Sequence, residues 1–389
     1  MSPAATRSMP RGRLLLLAGG GTGLLLGMST GLGRAGVQAP LGPLAAHGVI
    51  MVLGFLGTLI ALERAVALGA RWAYVAPALS GAAVLWLLAG LDRTGAGLLL
   101  TGAGILVTAV YLVTLRPRFE LHLAVMTVGA GAWVVAAALW AAGLSPVRLT
   151  PMLAAFLVLT IVGERVELSR LRLPSAASRR RLVAAVALFG VGVAMTLAAR
   201  SAGLVVAGAG LIAQTAWLVR NDIARVTIHR SGLPRFAAAC LLAGYFWLAA
   251  GGLLWIALGA GLDGALIHDA AVHAVFLGFV ISMVMGHAPI ILPAVLRVPL
   301  PYRRSAWVPL ALLHVSVALR IGADLAGSVW LRGWSTHCNV AALLLFVTLS
   351  ILTVRRARRS TSSASALRGA PVGSATRARP ARAGALPGS

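Results

Sequence analysis

Histidine is the residue type in this chain with the most chemistry to offer, because several of its eight copies fall inside apolar stretches. His47 opens HGVIMVLGF, and His268, His273 and His287 share HDAAVHAVFLGFVISMVMGHAPIILPAV. His314 lies midway along another apolar stretch, and His337 stands beside Cys338 at the start of a further one. A polar side chain without a partner in hydrocarbon costs on the order of several kcal/mol, so repeated placement of imidazole there points to a bound group. A metal ion or a haem iron suits these residues, since both take neutral imidazole nitrogen.

The elements that must position these histidines follow from composition. Of 389 residues, 59% are hydrophobic and 11% charged, with a mean hydropathy of +0.91. Such a chain is not a soluble globular domain, and its apolar runs are long enough to cross a bilayer as helices that satisfy their own backbone. The expected fold is all-α and polytopic. Twelve spans are predicted, at 14–33, 44–62, 72–91, 94–115, 121–143, 149–163, 182–199, 203–219, 236–258, 269–293, 306–326 and 335–354, the sixth being short. A basic tail, 1–13, precedes this membrane domain of 14–354, and a second basic tail, 355–389, follows it. The second tail is rich in Ser, Ala, Gly, Pro and Arg, cannot build a core, and is predicted to be disordered.

All 34 basic residues are arginine, and their distribution predicts orientation. With the N-terminus inside, 28 fall on the cytoplasmic side; only Arg34, Arg93, Arg148, Arg200, Arg320 and Arg332 fall outside. The positive-inside rule therefore predicts a multi-pass protein of the plasma (inner) membrane with both termini cytoplasmic. The net charge of +25 is read as topological, its arginines facing the lipid bilayer. No aromatic residues interleave them, so no nucleic-acid partner is expected. The first apolar run is span-length and lacks a clear small-x-small cleavage site, which predicts an uncleaved first helix. Cys240 and Cys338 form no CxxC or CxxCH, so neither a disulfide scaffold nor covalent haem attachment is expected. Oligomeric state is not legible.

A repeat organises the chain. GFLGTLIALER at 54–64 matches AFLVLTIVGER at 155–165, an offset of 101, with Phe, Leu, Ile, Glu and Arg identical. Adding 224 brings GFVISMVMGHA, 278–288, into the same frame, so that His287 stands where Glu63 and Glu164 stand. Spans two, six and ten thus become equivalent members of three pseudo-repeated four-helix units. Glu63 with Arg64, and Glu164 with Arg165, read most simply as interfacial ion pairs; the functional alternative is a proton path through Glu63, Glu164 and His287. His122 and His229 lie in predicted cytoplasmic loops and read as solvated.

Depth sorts the histidines. His47, His268, His273 and His337 fall near the outer ends of their spans, where His47 and His273 on facing helices offer an axial pair for a porphyrin iron. His287 lies 14 residues beyond His273, about 21 Å at 1.5 Å per residue and about 40° from the same helix face. His314 is the candidate to face His287 as an inner partner. Pro289 and Pro293 remove backbone donors late in span ten, a break that fits either a cavity wall or a helix end.

At these residues a resemblance enters. His47-Gly48-x-x-Met51 is similar to the low-spin haem ligand segment of haem-copper oxidase subunit I, and His268-Asp269 ahead of a further histidine resembles that family's tenth helix. H-x-x-x-M-x-x-G-F from His47, and H-A-x-x-x-G-x-x-x-S-M from His273 to Met283, resemble the NnrS family of haem- and copper-containing membrane proteins of nitric oxide metabolism. The resemblance implies a non-covalent b-type haem with His47 and His273 as axial ligands. Met51, Gly54 and Gly278 would lie against the macrocycle, with copper as an optional second metal and His268 and His337 as further metal ligands; His287 and His314 are metal-ligand candidates from their positions alone. Spans six and seven, LTPMLAAFLVLTIVG and LVAAVALFGVGVAMTLA, lack the histidines with which haem-copper reductases hold copper. A full catalytic binuclear centre is therefore not expected. The reading is an integral membrane haem protein of redox or nitric oxide metabolism, leaning away from an enzyme and compatible with a redox partner protein. The competing reading is a proton-coupled secondary transporter, against which the repeat is threefold rather than twofold.

Overall fold

The computed structural model describes residues 11–37, 41–169, 175–262 and 264–369. The chain is an all-α polytopic membrane protein, and twelve long helices carry it. They are α1 Arg11–Arg34, α2 Leu44–Leu68, α3 Arg71–Leu88, α4 Arg93–Leu115, α5 Leu121–Ala141 and α6 Pro146–Ser169. There follow α7 Ala176–Met195, α8 Arg200–Asn221, α9 Leu233–Gly259, α10 Ala265–Leu296, α11 Arg304–Leu325 and α12 Val329–Gly369. Eleven are long and apolar enough to span a membrane; α7 is the other, diluted by Arg179, Arg180 and Arg181 near its start. Local chemistry sets the ends: Asp92 accepts the Gly95 N–H at 2.8 Å to cap α4, Ser175 accepts that of Ser178 at 3.1 Å to cap α7, and Gly69 closes α2 with a φ of 74°.

Two boundaries differ from the sequence expectation. The sixth span is a full 24-residue helix that accommodates Pro151 internally. The last helix runs on to Gly369, so the first part of the basic tail is helical, because nothing after Val354 breaks the pattern before that glycine. The rest of that tail, and most of the basic N-terminal tail, lie outside the described residues.

The repeat-equivalent helices α2, α6 and α10 touch one another and form the centre. α6 is the most enclosed span, with 83% of its apolar window buried. Phe55, Phe156 and Phe279, which share one repeat position, are all buried there. Around this centre the remaining helices pack largely as sequence neighbours, and α1 meets α12 to close the ring.

Both histidine-bearing central helices depart from regular winding at matching places. α2 takes wide π-type turns over Ile50–Leu56, and α10 does so over Ala274–Ile281. An offset of 224 superposes the start of one stretch on the other, and the offset of 101 from Ile50 lands on Pro151, which has no backbone N–H to donate. A π-type turn admits an extra residue, turning everything beyond it by about 100° relative to a regular helix. The faces read off a 3.6-residue period are therefore not those the structure presents.

Candidate functional site

A glycine groove on α1 brings its backbone against α2. A Cβ on Gly23 would stand 3.1 Å from the Phe55 nitrogen, and one on Gly27 would collide with the Met51 side chain. This close approach puts the Gly27 carbonyl 2.8 Å from Nδ1 of His47, with the Thr30 hydroxyl at 3.3 Å. A carbonyl only accepts, so Nδ1 of His47 carries the proton and donates it, and Nε2 holds the lone pair.

His273 is held from within its own helix. Its Nδ1 donates to the Asp269 carbonyl at 2.8 Å and lies 3.2 Å from the Asp269 carboxylate Oδ2. Neither Nε2 has a protein hydrogen bond among the described residues, and both rings line one cavity at the end of the bundle where α2, α6 and α10 begin.

That cavity has a volume of about 170 Å³, and with its open mouth the empty space reaches about 1250 Å³. Its walls are apolar where α2, α6, α10 and α12 contribute Val52, Leu56, Leu153, Phe276, Leu277 and Leu343. Arg34, His268, Asp269, Arg320, Thr336 and Asn339 add a polar side. Asp269 is buried and held by Arg320, whose Nε and Nη2 approach Oδ2 at 2.8 and 2.7 Å, and by Nη2 of Arg332, 3.2 Å from Oδ1. Met51 and Gly48 both line the cavity, and a Cβ on Gly48 would meet nothing within 4 Å, leaving open space beside His47.

Imidazoles fixed through Nδ1, between apolar walls and with Arg34 at the polar side, are residue types that can ligate a porphyrin iron. A metal ion without a macrocycle needs more ligands than this pair. Among the described residues no group of three or more His, Cys, Asp and Glu side chains gathers to supply them.

Of the remaining histidines, His268 lines the same cavity and the others lie outside it. His337 is exposed on α12 and does not line the cavity; its Nδ1 donates to the Gly333 carbonyl at 2.8 Å. His314 does not face His287. Its Nδ1 accepts from the Trp247 indole at 2.9 Å, so its Nε2 carries the proton, toward Ser282 Oγ at 3.3 Å. His287 donates through Nδ1 to the Met283 carbonyl at 2.7 Å and accepts through Nε2 from Arg165 at 3.1 Å. Both rings are satisfied by protein. The glycines also differ from expectation: a Cβ on Gly54 would meet Val84 at 2.7 Å, and one on Gly278 would collide with Trp247, so both serve helix contact outside the cavity lining.

At the opposite end of the bundle the three repeat-equivalent positions fall in two bonded clusters of one polar region, Glu63 and Glu164 around Arg64 and His287 with Arg165. Arg64 pairs with Glu63 and reaches Glu164 Oε1 at 3.1 Å. Arg165 does not pair with Glu164; it clasps Asp222 at 2.7 and 3.2 Å, and Tyr245 donates to the same carboxylate at 2.7 Å. His122 is buried, 3.8 Å from Glu167, rather than solvated, while His229 is exposed. Asp222 was not singled out from sequence, although an acid directly after an apolar helix and two residues before a short one is a capping signal: it accepts the Ala224 N–H at 2.7 Å.

The model of one family, a domain of unknown function (DUF8744), matches residues 13–355, so the chain belongs to that family. No curated protein and no solved structure matches it.

Proposed function

We propose that this member of the DUF8744 family is a haem-binding protein of the plasma membrane, with His47 and His273 as the axial ligands of one non-covalent b-type haem. The observation that carries the reading is the matched pair of imidazoles: each is pinned through Nδ1, and the two line one cavity on central helices. Haem held in this way supplies a one-electron couple. The chain's own groups do the rest. The Gly27 and Asp269 carbonyls fix ring orientation and tautomer, Gly48 leaves room beside His47, and the apolar walls from α2, α6 and α10 limit water.

Arg34 at the polar side suits a carboxylate of such a group. Were both imidazoles to hold the iron, the group would supply one-electron chemistry, which favours electron relay, or a protective or sensing role in redox or nitric oxide metabolism, over turnover of a substrate. The distribution of arginines supports cytoplasmic termini, with the cavity opening on the far side of the membrane.

The test is spectroscopic. Protein purified in detergent after expression with ample haem should show a Soret band and sharp reduced α and β bands. His47→Ala and His273→Ala should each convert the spectrum to high spin or lose the haem. A wild type without a Soret band, or a band unchanged in both variants, overturns the reading.

A further inference from the structure

The two imidazoles differ in what holds them. His47 donates to a neutral carbonyl on another helix, whereas His273 lies against both a carbonyl and the carboxylate of Asp269. That carboxylate is 7% exposed and gripped by two guanidinium groups, which keep it in place as an anion. Oδ2, the oxygen nearest His273, is also the one that Arg320 holds at 2.7 Å, so ring and guanidinium compete for its charge. Arg320 is fixed in turn by Thr336, to which its Nη1 donates at 2.6 Å, and Arg332 reaches Asp324 at 3.3 Å. The cluster ties α10 to α11 and α12.

We infer that Asp269 is a positioning residue that tunes His273: it raises the electron density at Nε2 through the Nδ1–H, and Arg320 sets how much of its charge the ring receives. This rests on the haem reading of the same site. A more basic axial nitrogen stabilises the oxidised iron, so the reduction potential reports the strength of the contact. The reaction followed is simple reduction, one electron onto the iron, with the Nδ1 proton staying on the ring.

The experiment is a redox titration of the haem-loaded protein with its Asp269→Asn and Arg320→Gln variants, alongside nitrogen-15 histidine NMR of each protein without haem. Asp269→Asn keeps the size of the side chain and removes its charge. It should shift the oxidised-to-reduced ratio about tenfold toward reduced at fixed potential, a rise of about 59 mV for one electron. Arg320→Gln frees the carboxylate toward the ring and should move the potential in the opposite direction. In the haem-free protein the Nδ1 proton signal of His273 should move in Asp269→Asn while that of His47 stays in place.

An unchanged potential in Asp269→Asn with intact low-spin bands, or shifts of the same sign in both variants, overturns the tuning role while leaving the haem reading standing. A wild type that takes up no haem overturns both. Should Asp269→Asn not fold, Arg320→Gln decides alone: no fall in potential is a negative result.

Discussion

Imidazole is informative in this protein only together with the atom its Nδ1 meets. His47, His273, His287 and His337 all donate through Nδ1 to a carbonyl, yet His287 spends its second nitrogen on Arg165 and His337 is exposed on α12. What distinguishes His47 is the groove of small residues opposite it. A Cβ on Gly31 would stand 3.0 Å from His47 Cε1, nearer than ordinary contact, and Gly31 lines the same cavity. Gly31→Ala should therefore turn the ring off its Gly27 acceptor and weaken haemin binding about 10-fold or more, the range typical of a disturbed outer-shell partner. Haemin titration of the apoprotein measures it, and an unchanged affinity would show that the ring has slack. The types and depths of these histidines were legible in sequence. Their free valences were not, because a hydrogen-bond partner 20 residues away, as Gly27 is from His47, leaves no local pattern.

At the level of elements, helix existence was legible throughout and helix phase was not. Apolar length predicts a span because the bilayer obliges the backbone to bond within itself. The π-type stretches in α2 and α10 have no comparable signature; Gly54 and Gly278, inside them, face Val84 and Trp247, and His287, beyond the second, bonds Arg165 in the polar network. That network makes its own prediction. Arg165 and Asp222 are both buried and bidentate, joining α6 to the α8–α9 connection, and Tyr245 adds α9. Removing one partner of such a pair leaves an uncompensated buried charge at a cost of about 3–5 kcal/mol. Asp222→Ala should thus lower the melting temperature in detergent sharply. Arg64→Ala should lower it less, because its partners Glu63 and Glu164 retain side-chain exposures of 22% and 16%. Equal melting temperatures for all three proteins would remove this network from the account of stability.

For the whole molecule, the threefold repeat becomes spatial: the helices equivalent in sequence are the three that meet at the centre, with Phe55, Phe156 and Phe279 buried among them. One end of this centre holds the cavity and the other the ion-paired network, so a membrane that orients the bundle assigns each to one side. In the proposed orientation, with both termini cytoplasmic, the network lies inside. A tag fused after Ser389 should then be protected from protease in sealed right-side-out cells and cleaved in inverted vesicles, whereas a cysteine replacing Arg93 should react with an impermeant thiol reagent only in the former. The reverse pattern would invert the assignment and place the cavity at the cytoplasmic face.

Composition, apolar run length and the position of arginines are properties of a chain in one dimension, and the bilayer acts on them directly. They determined the all-α membrane class, the spans, the equivalence of α2, α6 and α10, and the interest of His47 and His273. Rotation of each helix about its axis was decided only in three dimensions, by π-type turns and by glycines that let one backbone lie against another. That rotation set which neighbour each helix face meets, and it brought His47 to line one cavity with His268 and His273.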